Sequence, residues 1–371
     1  MKHNNAAWIR ATYLVAAAAD EIEATARALA TEQSVEMPLE AITDRRIVDE
    51  VVGRVQDISE EGPGYYAVTL DLATETVGRD VTQLLNMLFG NCSLHEEVRL
   101  LDVTLPAELL ASFRGPRHGI EGLRQLCGAP QRPLTATALK PQGLSAAALA
   151  DLCGRFARAG IDFVKDDHGL ADQSAAPFAA RVEACQAAVQ RANRDTGGST
   201  CYVPSLVGSP QSLARQAAFA REQGVEAILV APSLIGLGAF RELVDSDLHG
   251  LAVLAHPAFA GAARIDPPLL LASLFRMLGA DATIFPHVGG RFSYSAQRCQ
   301  AIAERARRPW AHLAPCLPVP AGGMTPDRVG EIIGTYGQDV MLLIGGALLS
   351  AGDRLDEQAN HFVREVANGG A

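Results

Sequence analysis

Residues 161–167 read Ile-Asp-Phe-Val-Lys-Asp-Asp (IDFVKDD), a short apolar run that ends abruptly in charge. Just ahead, an alanine-rich stretch closes in Ala157-Arg158-Ala159-Gly160, and glycine is the residue that best tolerates the left-handed turn at a helix stop. A buried parallel strand looks like this, apolar along its length and polar at its C-terminal end. The pattern recurs on both sides. Strand-like runs occur at Pro133–Lys140, Ile161–Asp167, Thr200–Leu206, Glu226–Pro232, Leu251–His256, Ala282–His287, Cys316–Ala321 and Asp339–Gly345, with helical stretches between them. Further helix stops appear as Arg-Glu-Gln-Gly at 221–224 and Arg-Met-Leu-Gly at 276–279. The starts of these runs lie about 29 residues apart on average, enough for one strand, one helix and two short loops. This predicts an α/β protein whose C-terminal domain, residues 113–371, is a (β/α)8 barrel occupying roughly residues 115–350. An open doubly wound sheet is the alternative.

The first 112 residues read differently. Ile9–Val15 is strand-like, Ala19–Thr31 is an amphipathic helix, and Arg54–Ile58 and Tyr65–Leu72 flank the turn cluster Glu60-Glu61-Gly62-Pro63-Gly64 as a hairpin. These predict a smaller N-terminal α+β domain of the ferredoxin-like kind, joined to the barrel through Phe113–Ile120 (FRGPRHGI).

Composition narrows the function. A chain of 371 residues, 48% hydrophobic and 20% charged, can bury two cores, and its net charge of −10 argues against nucleic acid or an anionic membrane as partner. With no membrane-length apolar run and no signal-peptide core at the N-terminus, a cytoplasmic protein acting on small molecules is expected. The seven cysteines have no CxxC spacing and read as buried apolar residues rather than a disulfide framework or a zinc cluster.

Lysine is nearly excluded: of 32 basic residues only Lys2, Lys140 and Lys165 are lysine. Arginine serves most surface roles, but it cannot act as a base or be carbamylated at accessible pH. Lys140 and Lys165 close two adjacent predicted strands, at the rim where barrel enzymes place their chemistry. His256 and His287 close two others. The last two strands end in Gly322-Gly323 and Gly345-Gly346, the usual position of a phosphate cradle in this fold. Asp167 and His168, beside Lys165, form a candidate metal site.

At Gly160–His168 (GIDFVKDDH) the sequence resembles the large chain of ribulose-bisphosphate carboxylase (RuBisCO), with its Gly-x-Asp-Phe-x-Lys-Asp-Asp-Glu motif. Ile9–Val15 with Ala30–Ser34 (ATEQS) is similar to that family's N-terminal domain. Phe113–Arg124 is similar to its domain junction, Ala136–Pro141 to its first barrel strand, and Pro318–Gly323 and Leu342–Ala347 to its phosphate loops. The resemblance implies Lys140 as the proton-transfer lysine, Lys165 as a lysine carbamylated by CO2, Asp167 as a metal ligand and His256 as a substrate contact. It implies Glu32 as a residue reaching a partner subunit's site in a homodimer or higher homo-oligomer, and Gly322, Gly323, Gly345 and Gly346 as a phosphate site. His287 is a further candidate for binding substrate.

The departures are chemical. His168 stands where the family's last metal ligand is glutamate, so Mg2+ is the family's ion while another divalent metal suits a nitrogen donor. Pro257 replaces a phosphate-binding arginine, Gln142 replaces a lysine, and no lysine follows Lys165 to orient CO2. The resemblance therefore implies a RuBisCO-like protein without carboxylase activity, enolising a phosphorylated ketose such as 5-methylthioribulose 1-phosphate as an isomerase or enolase. Alternatives are a decarboxylase of a 3-oxo sugar-acid phosphate, of the 3-oxo-isoapionate 4-phosphate type, and a non-catalytic regulatory protein.

Overall fold

The computed structural model describes residues 7–292 and 294–369; Lys2 lies outside them. Two compact units emerge. The first comprises the residues up to Phe113 together with Gly261–Leu270, and the second the remainder from Arg114.

In the first unit, β1 (Trp8–Ala16), β2 (Arg54–Gly62), β3 (Tyr65–Ala73) and β4 (Val98–Thr104) form an antiparallel sheet in the order β2-β3-β1-β4. Helices Ile22–Glu32 and Val81–Phe89 follow β1 and β3, which gives the β-α-β-β-α-β order of a ferredoxin-like domain. The expected hairpin is β2 paired with β3. The expected first helix begins three residues late, because Ala18–Glu21 closes a turn first. Strand β4 was not evident in the sequence: Val98–Thr104 alternates poorly and is half exposed beyond Leu100. Its partners are distant, Arg10–Val15 on one side and, at Leu100, a parallel bridge to Ile265. That bridge, with the Leu100 N–H donating to Arg264 O at 3.0 Å, explains why Gly261–Leu270 belongs with the first unit.

The second unit holds β5 (Leu134–Leu139), β6 (Phe163–Asp166), β7 (Cys201–Val203), β8 (Ala227–Val230), β9 (Ala252–Ala255), β10 (Ala282–Pro286), β11 (Leu317–Ala321) and β12 (Met341–Leu343), each inside a run expected from sequence. All pairs are parallel. Strand β12 pairs with β5, and a bridge between Ser205 and Leu229 joins the end of β7 to β8, so the sheet returns on itself as a barrel and the open-sheet alternative falls. Alternate residues fill its interior: Leu134 and Ala136, Phe163, Cys201 and Val203, Ala227 and Leu229, Ala252 and Leu254, Ala282 and Ile284, Leu317 and Val319, Met341 and Leu343. All seven cysteines are buried and free, as their reading as apolar residues requires.

Buried carboxylates tie strands to their neighbours. Asp281, ahead of β10, accepts from the N–H groups of His118 (2.7 Å), Gly119 (2.8 Å) and Val253 (2.8 Å). Asp162, ahead of β6, accepts both guanidinium arms of Arg132 at 2.7 Å and the N–H and hydroxyl of Thr135. Such charge-assisted bonds are each worth about 1.5–3 kcal/mol when buried. They hold the register that delivers the strand ends to the rim.

Candidate active site

Five of the expected residues come together at the ends of β5, β6 and β9. The Lys140 Nζ donates to Asp167 Oδ1 at 2.7 Å, His168 Nδ1 lies 3.5 Å from the same oxygen, and Gln142 Nε2 lies 3.5 Å from Asp167 Oδ2. The His168 ring stacks on His256, with centroids 4.3 Å apart and planes 12° from parallel. Lys165 is buried and donates through Nζ to the main-chain oxygen of Asp166 at 2.9 Å.

Burial and charge set the protonation states. Burial lowers the Lys165 amine to about 8, with the Asp167 charge opposing this and Lys140 adding to it. Burial also acts against ionising Asp167, but hydrogen bonds from His168 and Lys140 and the two lysine charges outweigh it and hold the carboxyl well below its usual range. Burial first, then the Lys165 charge, holds His256 well below the ordinary histidine value. Its Nδ1 accepts from the Ala258 N–H at 3.1 Å, which leaves the proton of the neutral ring on Nε2. The cluster therefore offers an amine that loses its proton near pH 8, a lysine ammonium clamped on a carboxylate, and a neutral imidazole donor.

Asp166 faces the other way. Its carboxylate accepts from Arg181 Nε (2.9 Å), Tyr202 Oη (2.9 Å) and the Ser205 N–H (3.0 Å), so it serves the helical layer rather than the site.

The glycines after β11 form a second group. Gly322 and Gly323 have φ of 89° and 67°, which disfavours side chains, and a Cβ on Gly323 would lie 2.8 Å from the carbonyl of Gly289. Gly289-Gly290, a double glycine after β10, is thus part of the same close-packed loop pair. His287 precedes it, buried, with its N–H on Ala321 O at 2.8 Å and Nδ1 3.0 Å from Tyr336 Oη. The sequence reading missed Gly289, Gly290 and Tyr336, although a glycine pair one residue beyond His287 was a usable signal. Gly345 and Gly346 follow β12 with no steric demand of that kind. Gly346 shares with Lys140 a cavity of about 500 Å³ whose walls include Leu144, Leu152, Leu349 and Leu355. Glu32 lies in the first unit, accepting from Asn91 Nδ2 at 3.0 Å.

Residues 119–354 match the family model for the ribulose bisphosphate carboxylase large chain, catalytic domain. Over 359 residues the sequence is 52% identical to ribulose bisphosphate carboxylase-like protein 1 of Rhodopseudomonas palustris, covering 97% of each chain. The chain belongs to the RuBisCO large-chain family. A 5-methylthioribulose-1-phosphate isomerase of Rhodospirillum rubrum is 53% identical over 360 residues, covering 97% of this chain and 96% of that one. The crystal structure of a Rubisco-like protein from Rhodopseudomonas palustris superposes with a TM-score of 0.91 at 51% identity, covering 98% of each chain. No helix among the described residues is long and apolar enough to cross a membrane.

The free-amine form of this RuBisCO-like site offers a metal ion one carboxylate, already bonded to Lys140, and one imidazole. No cluster of three histidine, cysteine, aspartate or glutamate ligands occurs among the described residues. A carbamate on Lys165 would add the missing oxygen donors beside Asp167 and His168. The donor set fits a divalent ion in that state, and its imidazole favours ions that accept nitrogen.

Proposed function

We propose that this RuBisCO-like protein is a sugar-phosphate isomerase that moves a proton next to the carbonyl of 5-methylthioribulose 1-phosphate, without fixing CO2. The observation that carries this reading is the buried amine of Lys165, lowered to about 8 and set beside the Lys140–Asp167 pair. Similarity to the isomerase of Rhodospirillum rubrum supplies the substrate.

Proton abstraction beside a carbonyl needs a base and a group that stabilises the developing enediolate oxygen. Lys140 and Lys165 are the proton-transfer residues: the lowered amine of Lys165 is the form that takes up CO2, and the base is Lys140 or the Lys165 carbamate. The Nε2–H of His256 donates to the substrate oxygen. Gly322, Gly323, Gly345, Gly346 and His287 take the phosphate. Lys165 as carbamate, Asp167 and His168 would hold a divalent ion, magnesium or one more tolerant of nitrogen, whose charge would stabilise the enediolate. In a homodimer Glu32 would complete the partner's site, and the expected location is the cytoplasm.

The test is proton–deuterium exchange into 5-methylthioribulose 1-phosphate in heavy water, followed by identification of the product. Exchange at the carbon next to the carbonyl is the expected result. A substrate recovered without deuterium and without conversion would overturn the proposal and leave a non-catalytic binding role.

A further inference from the structure

Two residues of one short segment grip the loop after β10 at consecutive positions. The segment starts with the turn Pro326–Arg328 and continues as helix Val329–Tyr336, just after the glycines that follow β11. At its start, Arg328 Nη1 donates to Gly323 O (2.8 Å) and lies 3.4 Å from Val288 O, which links the two glycine loops. The rest of that guanidinium is fixed by Glu331, Nε to Oε2 at 2.9 Å and Nη2 to Oε1 at 2.8 Å, so its fork has one orientation. At its end, Tyr336 packs edge-on against Phe285 and places its hydroxyl 3.0 Å from His287 Nδ1. The other ring nitrogen of His287, Nε2, is buried and has no hydrogen-bond partner among the described residues.

We infer that Arg328 and Tyr336 are positioning residues for the phosphate-binding rim: Arg328 sets the peptide planes of the two glycine loops, and Tyr336 holds His287 with its proton on Nε2, ready to donate to a phosphate oxygen. This rests on the proposed sugar-phosphate reading. The peptide unit is planar and trans, so a carbonyl held by Arg328 turns the amide of the next residue to the opposite side. Fixing Val288 O and Gly323 O therefore aims the N–H groups of Gly289 and Met324 away from the guanidinium, as a backbone anion site requires.

The tautomer follows from the acceptors within reach of the Tyr336 hydroxyl. Its proton can go to His287 Nδ1 or to the thiol of Cys299, whose own hydrogen is directed to Pro286 O at 3.4 Å. Imidazole nitrogen is much the stronger acceptor, so the phenol donates to Nδ1 and the ring keeps its proton on Nε2. Burial, with the nearby Arg328 charge, lowers the His287 pKa and keeps the ring neutral. Buried donors in folded proteins are nearly always paired, and the natural partner for one beside a glycine cradle is a ligand oxygen.

Calorimetric titration with 5-methylthioribulose 1-phosphate and with unphosphorylated 5-methylthioribulose tests this on the full-length wild-type protein, Tyr336→Phe and Arg328→Lys, with nitrogen-15 NMR of His287 alongside. Tyr336→Phe should weaken the phosphorylated ligand about fivefold, leave the unphosphorylated one unchanged, and shift His287 toward a mixture of tautomers. Arg328→Lys keeps the charge but loses the fork, and should weaken the phosphorylated ligand about tenfold while leaving the unphosphorylated one unchanged. Wild-type protein that binds neither ligand would overturn the proposed function and this inference with it. Wild-type binding matched by both variants, or equal losses for both ligands, would overturn the inference alone.

Discussion

Replacing Asp166 by asparagine should unfold the barrel more readily while sparing the chemistry, although Asp166 lies between two residues of the site. Asp166 and Arg181 are both wholly buried, and the carboxylate accepts from Arg181, Tyr202 and Ser205 at 2.9–3.0 Å. Arg181 has other bonds through Nη1, to Ala171 O and Ala176 O, but both acceptors are neutral. Asparagine would leave the guanidinium buried without a counter-charge, and breaking a buried pair on one side costs about 3–5 kcal/mol. That is a large share of the roughly 5–15 kcal/mol by which a domain is stable. At roughly 2–4 °C per kcal/mol for a domain of this size, the expected fall in the unfolding midpoint is on the order of 10 °C. The assay is thermal unfolding followed by circular dichroism, with turnover measured well below the midpoint. Turnover should stay within about threefold of wild type, because Lys165 donates to the main-chain oxygen of Asp166 and that atom is retained. A midpoint lowered by less than about 3 °C, or a loss of turnover without a loss of stability, would refute the assignment of Asp166 to the scaffold.

Lys140→Arg and Lys165→Arg should each lower turnover by about 10²–10⁴-fold, the usual range for a lost acid–base group, and steady-state kinetics within tenfold of wild type would remove the lysines from the mechanism. Chelation should abolish most turnover, and returning a divalent ion together with CO2 should restore it; undiminished activity after chelation would eliminate the metal. A ketose bisphosphate should bind no more than about threefold more tightly than its monophosphate, because Pro257 offers neither charge nor an N–H where a second phosphate would need them. Arg264 donates through its guanidinium to Ser93 O within the first unit; calorimetry showing tenfold tighter bisphosphate binding would reveal a second phosphate site.

The barrel was legible because each strand announces itself by an apolar run, β6, β8 and β10 also by a helix stop before them, and because parallel strands buried on both faces need no distant information to be apolar. Strand β4 was not legible for the opposite reason. Its pairing with β1 and its bridge to Ile265 are long-range, and the local pattern of Val98–Thr104 is that of a half-exposed edge. The inner cluster of the site was read from residue type and strand end together. Lysine scarcity pointed to Lys140 and Lys165, and the structure places both beside Asp167. Tyr336 and Arg328 escaped notice because they act across the fold from a helix whose sequence carries no motif.

Strand alternation accounts for how the site divides, and it could have been applied to the sequence directly. Successive side chains on a strand face opposite sides. Leu134 and Ala136 point into the barrel core, so Lys140, of the same parity, continues that face above them. Ala252 and Leu254 do the same for His256, and Phe163 for Lys165 and Asp167. Asp166 has the parity of Val164 and turns outward to Arg181 on helix Phe178–Thr196. His287 has the parity of Phe285, not of Ile284, and it too turns outward, to Tyr336. Lys140, Lys165 and His256 thus cap the barrel's interior, while His287 turns to Tyr336 on the helix that follows the β11 glycines. Under the proposed reading, a substrate with its carbonyl at Lys165 and its phosphate at His287 would run from a group that faces the barrel core to one that faces away from it.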